Sequence, residues 1–282
     1  MKIHSNSSSL QKELLPFLKN CESIGFVPTM GALHRGHIAL VEQASRENDC
    51  VVVSIFVNPT QFNNAEDLDK YPRTIDDDVK LLKNVPGNII VFSPNASDLY
   101  SENVISKGYD FGEIENEMEG KHREGHFDGV GTVVNLLFRA IKPNKAYFGE
   151  KDFQQLQIIK KLVEIEKLPI KIIGCPIVRE KSGLAMSSRN KRLSKVELEE
   201  ATLIYKTLKK VTNEFNSSSI SELNRMVKNS FDSNKFLDLE YFEIADSETL
   251  KTVHKKQANK KYRGFIAAFI GGVRLIDNIA LN

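Results

Sequence analysis

The chain has 282 residues, enough for two modest domains and a substantial core. Its 39 Lys and Arg against 37 Asp and Glu leave no global field favouring nucleic acid or an anionic membrane, so neither is expected as a partner. Cys21, Cys50 and Cys175 are too scattered for a disulfide framework or a thiolate zinc site, and no apolar targeting or membrane-length run is present, so a cytoplasmic protein is expected.

Taken in chain order, residues 23–27 form the first expected strand, followed by the turn TMGALHRGH and a helix over residues 36–47. Residues 51–57 (VVVSIFV) are the next strand, then come a helix over 75–83, a strand over 89–92 and a helix over 132–141. Residues 145–148 and 170–174 are further strands, flanking a helix over 153–166 in which Phe153, Leu156, Ile159 and Val163 recur at helical spacing. The strands are continuously apolar, as strands covered on both faces should be. Repeated alternation of strand and helix predicts an α/β fold, a Rossmann-like doubly wound parallel sheet over residues 1–186, with ligands beyond the C-terminal ends of its strands.

After about Gly174 the character changes to a polar, turn-rich stretch. Ser194 with Glu197 makes a capping box for a helix reaching about Phe215, and Ser219 with Glu222 makes a second. Strand-like runs follow over residues 236–245 and 264–274 without the earlier rhythm. Residues 187–282 are therefore expected to form a smaller α+β domain, with the active cleft at the seam. No internal repeat is evident.

The turn after the first strand is the first candidate site. His34 and His37, three apart around a first helical turn, can face one crevice, and Gly36 leaves room for a ligand against the backbone. Neither common phosphate fingerprint is present: GxxxxGK[ST] does not occur, and Gly129 and Gly131 lack a third glycine and a preceding strand. A zinc reading would need His122 and His126 of KHREGH, but Gly125 disfavours helix there and the pattern is not HExxH.

Three more clusters follow. FVNPTQF offers the amides of Asn58 and Gln61. YFGEKDFQQ places Gly149, Glu150, Lys151 and Asp152 at a helix entry with Gln155 one turn along. MSSRN combines Ser187 and Ser188 with Arg189. There is no GxSxG elbow and no cysteine beside a base. Fixed donors without a nucleophile suit electrostatic stabilisation of a transferred phosphoryl or nucleotidyl group. Asp76, Asp77 and Asp78 offer carboxylates to Mg²⁺, or simply begin a solvated helix. His4 and His254 are expected to have no role.

PTMGALHRGH, SIFVNPTQF, YPRT, HFDGVGTVV, YFGEKDFQQ and AMSSRN occur here in an order and spacing that resemble the pantothenate synthetase (pantoate–beta-alanine ligase) family, from about Val27 to Asn190. HxGH alone would indicate only the wider superfamily of nucleotidylyltransferases and class I aminoacyl-tRNA synthetases. The resemblance implies joining of pantoate to β-alanine with ATP and Mg²⁺, through an enzyme-bound pantoyl adenylate, by a homodimer whose smaller domain closes over ATP. It implies that Met30, Gly31, Ala32, Leu33, His34, Arg35, Gly36 and His37 bind ATP, with His34 and His37 at the phosphates and His37 as proton donor. Gly149, Glu150, Lys151 and Asp152 would be a second ATP segment, with Lys151 at phosphate and Asp152 at the ribose. Val178 would be an adenine-site backbone contact, and Met186, Ser187, Ser188 and Arg189 a mobile ATP loop. Gln61 and Gln155 would hold pantoate, with Gln61 also near β-alanine. His34, His37, Lys151 and Arg189 are thereby the expected catalytic set, and Asp77 and Asp78 the expected metal carboxylates. The alternatives are a nucleotidylyltransferase acting on a phosphorylated cofactor precursor, and a nucleotide-binding or dimerising module without turnover.

Overall fold

The computed structural model describes residues 1–62, 65–100 and 103–282, which form two compact units. The first comprises Met1–Phe111, Arg123–Glu150 and Gln155–Pro176, and the second Gly112–His122, Lys151–Gln154 and Ile177–Asn282.

The first unit carries β1 (Ile3–His4), α1 (Ser7–Lys19), β2 (Ile24–Thr29), α2 (Arg35–Glu47), β3 (Cys50–Ile55), α3 (Ala65–Asp69), α4 (Ile75–Leu82), β4 (Ile89–Phe92) and α5 (Ala96–Leu99). In the second unit, α6 (Glu119–His122) follows. The first unit then resumes with α7 (His126–Ile141), β5 (Lys145–Gly149), most of α8 (Phe153–Ile165) and β6 (Lys171–Cys175). Its six strands run parallel in the order β1-β4-β3-β2-β5-β6. From β2 the chain moves to β3 and β4 on one side, and later to β5 and β6 on the other. The topological switch therefore lies between β2 and β5. Pairing of β2 with β5 covers Gly25 and Phe26 only, so Pro28, which has no N–H to give, lies beyond that ladder. Strand side chains alternate between two helix layers. Val27, Val51, Val53 and Val91 pack with Val41, Ala44 and Leu82 of α2 and α4. Phe26 meets Phe138 of α7 edge-on at 6.0 Å.

The second unit continues with α9 (Lys195–Glu200), α10 (Thr202–Glu214), α11 (Ile220–Asp232), β7 (Asp238–Asp246), β8 (Tyr262–Ile270) and β9 (Val273–Ala280). The three strands form an antiparallel sheet in chain order. Leu208, Val211, Leu223, Val227 and Phe231 cluster with Ile244, Ile266 and Leu275 of the sheet. A second cluster joins Met118, Phe153, Tyr241, Ala245 and Phe265.

Both expected capping boxes are present, with Ser194 and Ser219 accepting from the amides of Glu197 and Glu222. Several boundaries differ from the sequence reading. The unpredicted β1 pairs with β4, and the unpredicted α1 starts at an Asn6 cap within the serine run that concealed it. Helix α7 begins at His126 rather than Thr132, because Gly125 turns the chain at φ 72° and Gly129 and Gly131 lie inside the helix. The helix expected from Ser194 to Phe215 breaks at Ala201, where the Thr202 hydroxyl donates to Glu199 O at 2.7 Å. Residues 264–274 are not one strand. Gly271 and Gly272, at φ 55° and 72°, make a two-residue hairpin turn between β8 and β9.

The second unit takes up the chain at Ile177, ahead of the expected boundary at Ser187. Residues 178–186 fold back on themselves through an Arg179–Ala185 bridge, and Arg179 grips Asp277 of β9 with both terminal nitrogens, at 2.6 and 2.9 Å. Among the described residues no helix is long and apolar enough to cross a membrane.

All three cysteines are free. Cys21 is exposed, whereas Cys50 and Cys175 are buried, and that burial pushes both thiols up to about 12. Alkylation near pH ~8 should therefore modify Cys21 alone in the native protein and all three thiols after denaturation, as read by intact mass. Native labelling of Cys50 or Cys175 would contradict this packing.

Candidate active site

The polypeptide leaves β2 through a turn that its sequence forces into an unusual shape. The Thr29 hydroxyl donates to Ser54 O at 2.7 Å and accepts from Gly31 N at 3.2 Å, which fixes the strand exit. Gly31 and Ala32 then adopt positive φ, 81° and 49°. This points the amides of Ala32 and Leu33 at one buried carboxylate: Asp78 of α4 accepts them at 3.0 and 2.7 Å, and Oδ1 also takes the Thr74 hydroxyl at 3.2 Å.

Helix α2 starts directly afterwards, and its two histidines cap it. His34 Nδ1 accepts from Gly36 N at 3.1 Å, and His37 Nδ1 accepts from His34 N at 3.3 Å, a capping box built from imidazoles. The ring centroids are 4.0 Å apart. With Nδ1 committed as an acceptor in each, the neutral rings carry their proton on Nε2. Two N–H donors thus sit at the positive end of a 13-residue helix, beside the switch point, an arrangement suited to a polyanion. Arg35, also in this turn, is exposed and holds Glu42 through a two-pronged pair at 2.5 and 2.9 Å.

Beyond β3, the 3₁₀ turn Pro59–Gln61 carries the first glutamine. The Gln61 amide nitrogen lies 2.8 Å from Met30 Sδ, and its Oε1 accepts from Asn58 Nδ2 at 3.3 Å. Met30 and Gln61 are therefore brought together. Asn58 is fully buried and also donates to Gly129 O, while its Oδ1 accepts from the Tyr100 hydroxyl at 2.7 Å. Gly129 is required here: a Cβ on it would fall 2.4 Å from Thr60 O, so α7 could not lie against this turn. That close approach explains Gly129, which the sequence could only exclude from a nucleotide fingerprint.

Gly149 ends β5, and Glu150–Asp152 form the 3₁₀ turn into α8, whose first turn carries Gln155, partly exposed. Its neighbour Gln154 is buried and structural, donating to the carbonyls of Ile114 and Glu117 at 2.8 Å each. In the second unit the Lys151 ammonium lies 3.6 Å from Asp152. The Lys151 carbonyl accepts from Asn278 Nδ2 at 2.8 Å, and Asn278 is itself held by Arg263. Val178 O accepts from Met186 N at 3.0 Å, tying the expected adenine contact to the start of the serine loop. Ser187 caps the 3₁₀ turn Ser188–Arg192 by accepting from Arg189 N, Ser188 is buried, and Asn190 anchors the loop to Ala185 O at 3.0 Å.

The acidic run does not fit a resident Mg²⁺. Both Asp78 oxygens are taken by backbone amides, and Asp77 is exposed and paired with Lys80 at 2.8 Å. Among the described residues no three His, Cys, Asp or Glu side chains converge to hold a metal. His122 stacks on Tyr241 at 5.2 Å, and His126 is buried against the Gln61 carbonyl. No local pattern announced the roles of His126, Arg123 or Asn278.

The family model for pantoate-beta-alanine ligase matches residues 2–280. The pantothenate synthetase of Christiangramia forsetii is 58% identical over 261 residues, covering 93% of this chain and 92% of the relative. That of Flavobacterium psychrophilum is 50% identical over 281 residues, covering 100% of both. Among solved structures, pantothenate synthetase from Thermus thermophilus superposes with a TM-score of 0.91 at 38% identity, covering 100% of this chain and 99% of that one. The pantoate-beta-alanine ligase of Francisella tularensis, complexed with beta-gamma ATP and beta-alanine, gives 0.82 at 40% identity, covering 100% and 98%.

Proposed function

This chain belongs to the pantoate–beta-alanine ligase family, and from that premise we propose that it joins pantoate to β-alanine at the expense of ATP, through a pantoyl adenylate. The observation that carries the reading is the pair of Nε2–H donors at the α2 N-terminus, capped by their own Nδ1 atoms and set beside the sheet's switch point. A nucleotidylyltransferase is not favoured, since the curated relatives are pantothenate synthetases along nearly their whole length.

In the first step a pantoate carboxylate oxygen bonds to the α-phosphorus of ATP, and the bond from that phosphorus to the bridging oxygen breaks, releasing pyrophosphate. Two anions must approach each other, so fixed donors that strengthen their grip as charge moves onto pyrophosphate lower the barrier. His34, His37 and the α2 amides are suited to that task, and Lys151 and Arg189 supply cations in this reading. His37 gives its Nε2 proton toward the departing oxygen. In the second step the β-alanine amine bonds to the acyl carbon, the acyl–oxygen bond to AMP breaks and the nitrogen loses a proton. Orientation and exclusion of water dominate there, because the acyl phosphate is already activated. Gln61 and Gln155 orient pantoate through its hydroxyls and carboxylate without adding a charge. Gly149, Glu150, Asp152, Val178, Met186, Ser187 and Ser188 complete the ATP contacts. Magnesium enters as the counter-ion of the triphosphate, part of the substrate, not as an ion resident on Asp77 and Asp78. We further propose, from the family resemblance, that it works as a homodimer in the cytoplasm.

Omitting substrates one at a time tests the reading. Sustained AMP release is expected only with ATP, pantoate and β-alanine together, and pantoate without amine should release no more than one equivalent of pyrophosphate per site. Equal AMP release with neither acid nor amine present would defeat it.

A further inference from the structure

The segment HREGH was left without a task by the sequence, and its last histidine is buried away from solvent beside Gln61. We propose that His126 and Arg123 are positioning residues that set Gln61 for substrate, and that they do so through one imidazole tautomer. This rests on the reading of Gln61 as the residue that holds pantoate and β-alanine.

The geometry is a closed triangle. The Gln61 carbonyl faces His126 Nδ1 at 2.9 Å and Arg123 Nη2 at 3.2 Å, and Arg123 Nη1 faces His126 Nε2 at 3.1 Å. A carbonyl can only accept and a guanidinium can only donate. His126 must therefore donate from Nδ1 and accept at Nε2, which defines a neutral ring with its proton on Nδ1. That is the opposite tautomer from His34 and His37. Gly125, in the left-handed region, turns the chain between the two residues, and His126 N bonds back to Arg123 O at 3.1 Å. Arg123 and the first turn of α7 thus grip the turn at residue 61 from behind.

The grip falls on the main chain, which leaves the side-chain amide for other partners. Asn58 steadies Oε1, and Met30 lies against the amide nitrogen. The carbonyl contacts fix where the Gln61 Cα sits, and the side chain then reaches from a set origin. Two donors on one carbonyl, one of them cationic, make a stronger tether than an ordinary turn requires. The close approach permitted by Gly129 brings the same helix against Thr60, one residue away.

Isosteric replacement separates the tautomer from mere bulk. Asn places an N–H where Nδ1–H is, and Gln places one where Nε2 is. His126→Gln is expected to raise KM for pantoate and β-alanine by about tenfold, the scale of one lost hydrogen bond, while KM for ATP changes less than about twofold. His126→Asn should recover most of that loss. Gln61→Ala is the reference and should raise the same two constants. If Gln61→Ala raises them while both His126 variants match wild type, the proposal is overturned. Equal impairment by Asn and Gln, with parallel loss of thermal stability, would make His126 a packing residue and also overturn it. If Gln61→Ala leaves both constants unchanged, the reading of Gln61 itself has failed. Should neither His126 variant fold, Arg123→Ala carries the same comparison, with the same two KM values rising and that for ATP unmoved as the expected result.

Discussion

Replacing His37 by alanine should cut kcat for pantothenate formation by roughly 10²–10³, the scale for removing one preorganised donor to a developing charge. In the proposed mechanism the side chain has two tasks, divided by nitrogen. Nδ1 caps the helix by accepting from His34 N at 3.3 Å, and Nε2 would carry the proton offered to phosphate. His37→Asn keeps an acceptor near the Nδ1 position and has no donor at Nε2. It should therefore melt close to wild type yet be nearly as slow as His37→Ala, which additionally loses about 1 kcal/mol of capping. Lys151→Ala should show a comparable loss of rate, because in the proposed mechanism its ammonium supplies a cation that no neutral residue replaces. Thermal melts and kcat of the three variants check this together. If His37→Asn kept the wild-type rate, the phosphate role of Nε2 would be lost from the mechanism.

Asp78→Ala should do its damage by a different route. The carboxylate is buried, 1% exposed, and three donors depend on it, among them the amides of Ala32 and Leu33. Stranding those buried amides costs about 1–3 kcal/mol each, so a loss of roughly 3 kcal/mol and a fall in Tm of around 10 °C are expected. The turn that delivers His34 and His37 would also relax from its positive-φ shape, so the rate should fall with the stability. Asp78→Asn should be only partly better, since its amide NH₂ would face a backbone N–H where an oxygen is needed. Raising Mg²⁺ should restore neither variant. Wild-type Tm together with recovery in excess Mg²⁺ would return Asp78 to the metal and remove it from the turn.

These two residues also show how differently the site was written. The two histidines stood out in the chain because they lie three apart, around a glycine, at an expected helix start. Asp78 stood out only as one of three aspartates, a run that offered carboxylates to Mg²⁺ or simply began a solvated helix. Besides the nearby Thr74 hydroxyl, its partners are two amides 46 and 45 residues earlier. The glycines of HFDGVGTVV likewise gave no hint of their use, since Gly129 answers to Thr60, not to anything nearby in sequence.

What the sequence determined by itself is what neighbours a few residues apart enforce. The alternation of apolar strand and amphipathic helix settled the doubly wound sheet, and Ser194 with Glu197 and Ser219 with Glu222 placed their helix starts. Six spaced blocks settled the family. Tertiary structure alone decided which buried polar groups meet. It set Asp78 under the Ala32–Leu33 amides, His126 against the carbonyl of Gln61 65 residues earlier, and Asn278 against Lys151 O across 127 residues. The physical reason is that a helix cap is satisfied within one turn of chain. A buried carboxylate, carbonyl or amide takes whatever donor or acceptor the packing of distant elements brings to it, and no local periodicity encodes that partner.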